Sequence, residues 1–271
     1  VYRLKKVIHL KFLTQELTMV EISPLQYNLV YNVLSFAIAA MGASFFFFLF
    51  SRDLVARKYR LALYVSAIVA LVACYHYFRI FNSWDAAYVL QNGVYKPTGI
   101  PFNDAYRYVD WLLTVPLLMV ELIAVLNLPW EKAKGLFFSL TIAAFIMILL
   151  GYPGEIARET STRLIFFVLS MIPFLYIMHT LYFRLGDAIG SQPPVVHSYI
   201  SFIRNLTLIA WSFYPIAFLF NQFKDTGAGI AAVQVGYSIA DVVAKCGYGI
   251  IIYWIARAKT EADGGLAKEH I

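Results

Sequence analysis

Seven long apolar segments divide the chain, at about residues 27–50, 59–84, 103–127, 133–153, 162–186, 198–222 and 229–257. Each is near or above the ~20 residues an α-helix needs to cross a hydrocarbon core. Polar residues gather in the connections, so the pattern predicts an all-α fold, a bundle of seven transmembrane helices. Most connections are short. The longest, 85–102, reads DAAYVLQNGVYKPTGIPF. Its Asn-Gly pair, its Pro-Thr-Gly run and its alternating apolar residues predict a β-hairpin between the second and third helices, capping one mouth of the bundle. The expected organisation is an N-terminal tail at 1–25, a seven-helix domain at 26–258 and a C-terminal tail at 259–271.

Composition supports the membrane assignment. The chain is 61% hydrophobic and 14% charged, where soluble domains carry about 25% charged residues. Of 271 residues, none are left over for a second soluble domain. The net charge of +6 suits an anionic lipid surface, and no basic-aromatic module suggests nucleic acid. Cys74 and Cys246 fall inside apolar helices and read as small buried hydrophobes; neither a disulfide framework nor a metal site is implied. The loops after the first, third and fifth helices, with the C-terminal tail, hold most of the Lys and Arg, including Arg57, Lys58, Lys132, Arg184, Arg257 and Lys259. By the positive-inside rule that side is cytoplasmic and the N-terminus lies outside. The basic residues of the first tail (Arg3, Lys5, Lys6, Lys11) argue the other way.

The chemistry lies in the few polar residues the apolar helices retain. The stretch 233–254 holds Asp241 and Lys245, four residues apart and so on one helix face. A lysine so deep in a membrane must be paired, neutral or covalently modified. The third helix carries Arg107, Asp110, Thr114 and Glu121 along one stripe, with Pro116 between. Asp110 and Glu121 are eleven residues apart, three turns and about 16 Å of axis. Two carboxylates on one stripe at different depths look like stations on a proton path. His76, in the second helix, falls at about the depth of Asp110, where a hydrogen bond would couple the two titrations. Packing alone is the competing reading for His76. The sixth helix carries Trp211, Tyr214 and Phe218 on one face, with Pro215 beside them, and Trp111 adjoins Asp110. Such stripes are often only packing. Together these rings suggest a flat slot for a long apolar ligand near Lys245, and a Schiff-base lysine at such a slot implies a carbonyl cofactor.

RYVDWLLTVPLL in helix 3, WSFYPIA in helix 6 and DVVAK in helix 7 resemble microbial rhodopsins. The strings YHYFRIFNSW, LQNGVYKPTG, LGYPGE and VGYSIADVVAK are similar to the xanthorhodopsin and proteorhodopsin branch of light-driven proton pumps, over roughly residues 25–260. The resemblance implies a light-driven ion transporter rather than an enzyme. Lys245 would bind all-trans retinal as a protonated Schiff base. Asp110 would be primary counterion and proton acceptor, Asp241 the second counterion and Glu121 the cytoplasmic-side donor. Arg107 would complete the charge cluster and gate release outward, His76 would pair with Asp110, and Thr114 would hydrogen-bond beside it. Trp111, Leu118, Trp211, Tyr214, Pro215 and Phe218 would hold the chromophore. The Asp110, Thr114, Glu121 signature is that of outward proton pumps rather than sodium or chloride pumps, and Leu118 matches the green-absorbing residue at the proteorhodopsin colour-tuning position. Carotenoid-binding xanthorhodopsins have a glycine on helix 5 that opens a window beside the retinal ring. Phe167 stands there in this chain, so no antenna carotenoid is expected. The family implies a homo-oligomer, pentamer or trimer, in the cell membrane. Competing readings are a sensory rhodopsin with the same chromophore, a seven-helix receptor of the G-protein-coupled class, and a passive channel or light-harvesting module.

Overall fold

The computed structural model describes residues 20–103, 105–157, 159–220 and 226–266. Seven helices span the length expected of a membrane crossing. They are α1 (Pro24–Ser51), α2 (Arg60–Ala87), α3 (Tyr106–Leu126), α4 (Trp130–Ile156), α5 (Thr160–Ile189), α6 (His197–Phe220) and α7 (Gly227–Ala262). Helix α7 runs four residues into the expected C-terminal tail.

Local signals set the ends. Ser23 and Gln26 form a reciprocal capping box at the start of α1, with Pro24 in the first turn, where its missing N–H costs nothing. The Thr226 hydroxyl accepts from Gly229 N at the start of α7. Asn127 ends α3 in the left-handed region (φ 49°), and its N–H closes on the carbonyls of Ile123 and Ala124. Between α2 and α3, β1 (Tyr88–Gln91) pairs antiparallel with β2 (Val94–Pro97) across Asn92-Gly93. Both turn residues have positive φ, 51° and 81°, as a two-residue hairpin turn of matching twist requires. Ile22, just before α1, bridges to Tyr95 of the hairpin, and Tyr27 stacks on the Tyr95 ring at 3.7 Å. The hairpin is thereby tied to the bundle mouth.

Burial separates inner from outer helices. The most apolar windows of α2, α3 and α7 are 56%, 67% and 61% buried, against 22–28% for α1, α4, α5 and α6. The outer helices expose Phe46, Phe50, Phe138, Leu149, Ile172 and Ile209, as a surface solvated by lipid permits. The three inner helices are those that carry the buried charges. Close approach of α1 to α7 depends on Gly249, where a Cβ would lie 2.5 Å from the buried Phe48 ring.

Candidate functional site

Helix α7 is not α-helical throughout. Residues Val243–Gly247 form a π-helical turn. This wider turn inserts part of an extra residue, re-aims the side chains it carries and is frequent at functional sites. Lys245 sits in its middle. Its Nζ lies 2.6 Å from Asp110 Oδ2 on α3 and 3.0 Å from Asp241 Oδ2 one turn back on α7. All three side chains are buried. A buried cation flanked by two carboxylates is tolerable where any one of these charges alone is not.

The two carboxylates are served differently. Asp241 accepts hydrogen bonds from the Tyr77 hydroxyl (2.9 Å), the Trp111 indole N–H (3.1 Å) and the Tyr214 hydroxyl (2.5 Å). Asp110 accepts from Lys245 on Oδ2, while its Oδ1 has no hydrogen-bond partner among the described residues. Three fixed donors occupy the acceptor positions of Asp241. One donor leaves a carboxylate with lone pairs to spare.

The other expected residues are placed as follows. Thr114 is buried beside Asp110 but donates to its backbone carbonyl (2.8 Å). This i to i−4 bond is the one a threonine in a helix reaches most readily. The expected hydrogen bond from His76 to Asp110 is not present: His76 Nδ1 engages Val72 O of its own helix at 2.9 Å. Arg107 donates through Nη1 to Gln234 Oε1 (2.6 Å), with its guanidinium 5.8 Å from the Tyr77 ring centroid and 5.4 Å from that of Tyr237. Glu121 is fully buried, and neither carboxyl oxygen has a well-formed hydrogen bond among the described residues. Ser66 of α2 lies beside it but donates to Ala62 O.

From Lys245 a cavity runs among α3 to α7, lined by Trp111, Leu118, Trp211, Tyr214, Pro215 and Phe218, every pocket residue expected from the sequence. The space it encloses, open mouth included, is about 830 Å³. Phe167 also lines it and stacks on Phe218 at 5.2 Å and 11°. A reactive amine at one end and rings along the walls fit an apolar polyene aldehyde. The free ammonium of Lys245 stands where the protonated nitrogen of a Schiff base would be.

Sequence reasoning missed Tyr77, Gln234, Tyr237 and the π-helical turn. A signal existed for two of them: Gln234 and Tyr237 precede Asp241 by seven and four residues, on the stripe that Asp241 shares with Lys245.

A bundle of seven helices with a lysine between two aspartates at the end of an aromatic cavity defines a retinal-protein architecture. The chain belongs to the bacteriorhodopsin-like protein family, whose model matches residues 29–259. It is a microbial rhodopsin related to the xanthorhodopsin and proteorhodopsin light-driven pumps, a multi-pass membrane protein of a family that implies retinal. The solved structure of xanthorhodopsin, described as a light-driven ion pump with dual chromophore, is 51% identical, with a TM-score of 0.88 over 91% of this chain and 99% of that one. A thermophilic rhodopsin is 46% identical, also with a TM-score of 0.88 over 91% and 99%. The green-light absorbing proteorhodopsin of Gamma-proteobacterium EBAC31A08 is 29% identical over 219 residues, 80% of this chain and 82% of that protein.

Proposed function

We propose that this protein is a light-driven proton pump that moves protons outward across the cell membrane. The observation that carries the reading is Lys245 held between an under-bonded Asp110 and a fully bonded Asp241, with Glu121 buried further along α3. Retinal bound to Lys245 as a Schiff base would supply visible absorption and a light-driven turn of the bond that carries the proton on Nζ. Trp111, Leu118, Trp211, Tyr214, Pro215 and Phe218 would hold it and exclude water.

The chain's own residues then set the route. Asp241, held by three donors, keeps its charge. Asp110, 2.6 Å from Nζ with one oxygen unengaged, takes the proton. Arg107, tied to Gln234 outward of Asp110, answers the lost negative charge and directs release. Glu121, buried and lacking good hydrogen bonds among the described residues, holds a proton in the dark and returns it to Nζ from the other side. His76, whose Nδ1 engages Val72 O, is not part of the direct relay. The face at which α3 ends is cytoplasmic in this reading, as the loop charges support. Phe167, packed on Phe218, stands where a carotenoid window would need a glycine, so a single chromophore is expected.

Retinal-loaded protein in liposomes tests the reading. Wild type should transport protons in light, whereas Asp110→Asn should shift the absorption to the red and stop transport. An Asp110→Asn protein that still pumps would sink the assignment of the acceptor.

A further inference from the structure

The end of α3 nearest Glu121 is closed in an unusual way. An α-helix leaves its last four carbonyls without intrahelical partners. In α3 these belong to Ile123, Ala124, Val125 and Leu126. Asn127 N takes the first two. The other two are taken by a side chain 133 or more residues away: Lys259 Nζ of α7 lies 2.9 Å from Val125 O and 2.7 Å from Leu126 O. The same ammonium donates to Gln192 Oε1 in the α5–α6 connection at 2.6 Å and lies 4.8 Å from the ring centroid of Tyr59, which precedes α2. Lys259 is 3% exposed.

These two pairs of capping bonds differ in how they can open. The Asn127 bonds belong to the backbone of α3 itself and break only if the helix unwinds. The Lys259 bonds join separate elements and break whenever α7 shifts relative to α3 or the α5–α6 connection. Its three acceptors are neutral oxygens, so this buried ammonium keeps a strong pull toward water. The other side of the α7 end is anchored independently. Thr260 Oγ1 accepts from Ala56 N (2.9 Å), and Asp263 accepts from the Tyr59 hydroxyl (2.7 Å) and pairs with Lys58 (2.9 Å). The α7 end is thus tied to the α1–α2 connection, while Lys259 ties it to the end of α3 and to the α5–α6 connection.

Glu121 lies five residues before Leu126, about 7.5 Å along the axis. Leu122, Ile123 and Val125 between them are buried, as is Leu126 itself. We propose that Lys259 is a positioning residue that latches the proton entry to Glu121: closed over the α3 carbonyls and Gln192 it seals Glu121 from water, and its release admits the proton that refills Glu121. The inference rests on the donor role of Glu121.

Infrared spectroscopy of the whole pigment separates the two claims. Samples are held in D₂O in the dark for timed intervals. The deuterium shift of the Glu121 carboxyl stretch is then read from light-minus-dark difference spectra, the band being assigned by its loss in Glu121→Gln. Lys259→Met keeps the apolar stem and removes the donors; it should speed exchange at Glu121 about tenfold or more, a tenfold change being about 1.4 kcal/mol of opening free energy. Gln192→Ala removes one of the three acceptors and should speed exchange less. If Lys259→Met yields no pigment, Gln192→Ala decides alone. A Glu121 band that exchanges at the wild-type rate in every variant that forms pigment overturns the latch and leaves the donor standing. Absence of any Glu121-dependent carboxyl band in wild type overturns the donor, and the latch with it.

Discussion

Tyr214→Phe removes one hydroxyl and leaves the ring that lines the cavity. The lost bond is the shortest of the three neutral donors on Asp241, at 2.5 Å. A hydrogen bond to a charged group contributes about 1.5–3 kcal/mol, and each ~1.4 kcal/mol is a factor of about ten. The preference for placing the transferred proton on Asp110 rather than Asp241 should therefore fall by about 10- to 100-fold. Adding Tyr77→Phe, which removes a second donor at 2.9 Å, should lower it by about 10²- to 10⁴-fold if the bonds act independently. Light-minus-dark infrared spectra give the partition directly, from the carboxyl bands assigned with Asp110→Asn and Asp241→Asn. If the double variant leaves the ratio of the two bands at its wild-type value, hydrogen bonding is not what selects Asp110.

Four further outcomes are expected. Lys245→Ala should abolish the visible band of retinal-supplied membranes; a retained band removes the assigned attachment site. Glu121→Gln should slow return of the proton to Nζ, with azide restoring part of the rate, and an unchanged recovery after a flash refutes the donor role. Gly249→Ala should lower the bleaching temperature, because its Cβ meets the buried Phe48 ring at 2.5 Å and overpacking costs about 1–3 kcal/mol; Phe48→Leu in the same chain should recover most of the loss. Burial alone would raise the Asp263 carboxyl, but the Tyr59 hydroxyl and the Lys58 ammonium outweigh it and hold it below its ordinary value. Its stabilising contribution is therefore present above the unfolded carboxylate value of about 3.9 and lost as pH falls through the folded one. Bleaching temperature measured against pH should show a drop at the acid end that is smaller in Asp263→Asn.

The spans were legible because the hydrocarbon core imposes a length that apolar runs must meet. The hairpin was legible because Asn92-Gly93 supplies the two positive φ angles its turn requires. Asp110, Thr114, Glu121, Asp241 and Lys245 were legible as a set, since a polar residue in a long apolar run stands out and helical spacing says which of them share a face. What the spacing could not show is what faces them from other helices. Tyr77 meets Asp241 across 164 residues, and nothing around Tyr77 marks it off from the other tyrosines of the chain. His76 illustrates the same limit: its place along the helix suggested a bond to Asp110, but a carbonyl of its own helix engages Nδ1. From the sequence, Lys259 reads as one more basic residue near the C-terminus. Its burial depends on carbonyls at the end of α3 that no local pattern connects to it. The π-helical turn at Lys245 likewise leaves no trace in hydropathy.

Light-induced pH change in a suspension of cells expressing the protein and supplied with retinal tests the central claim most directly. Outward pumping should acidify the medium on illumination, reverse in the dark and vanish when a protonophore is added. Illumination that leaves the pH unchanged, or an alkaline shift that the protonophore enhances, contradicts outward proton transport by this chain.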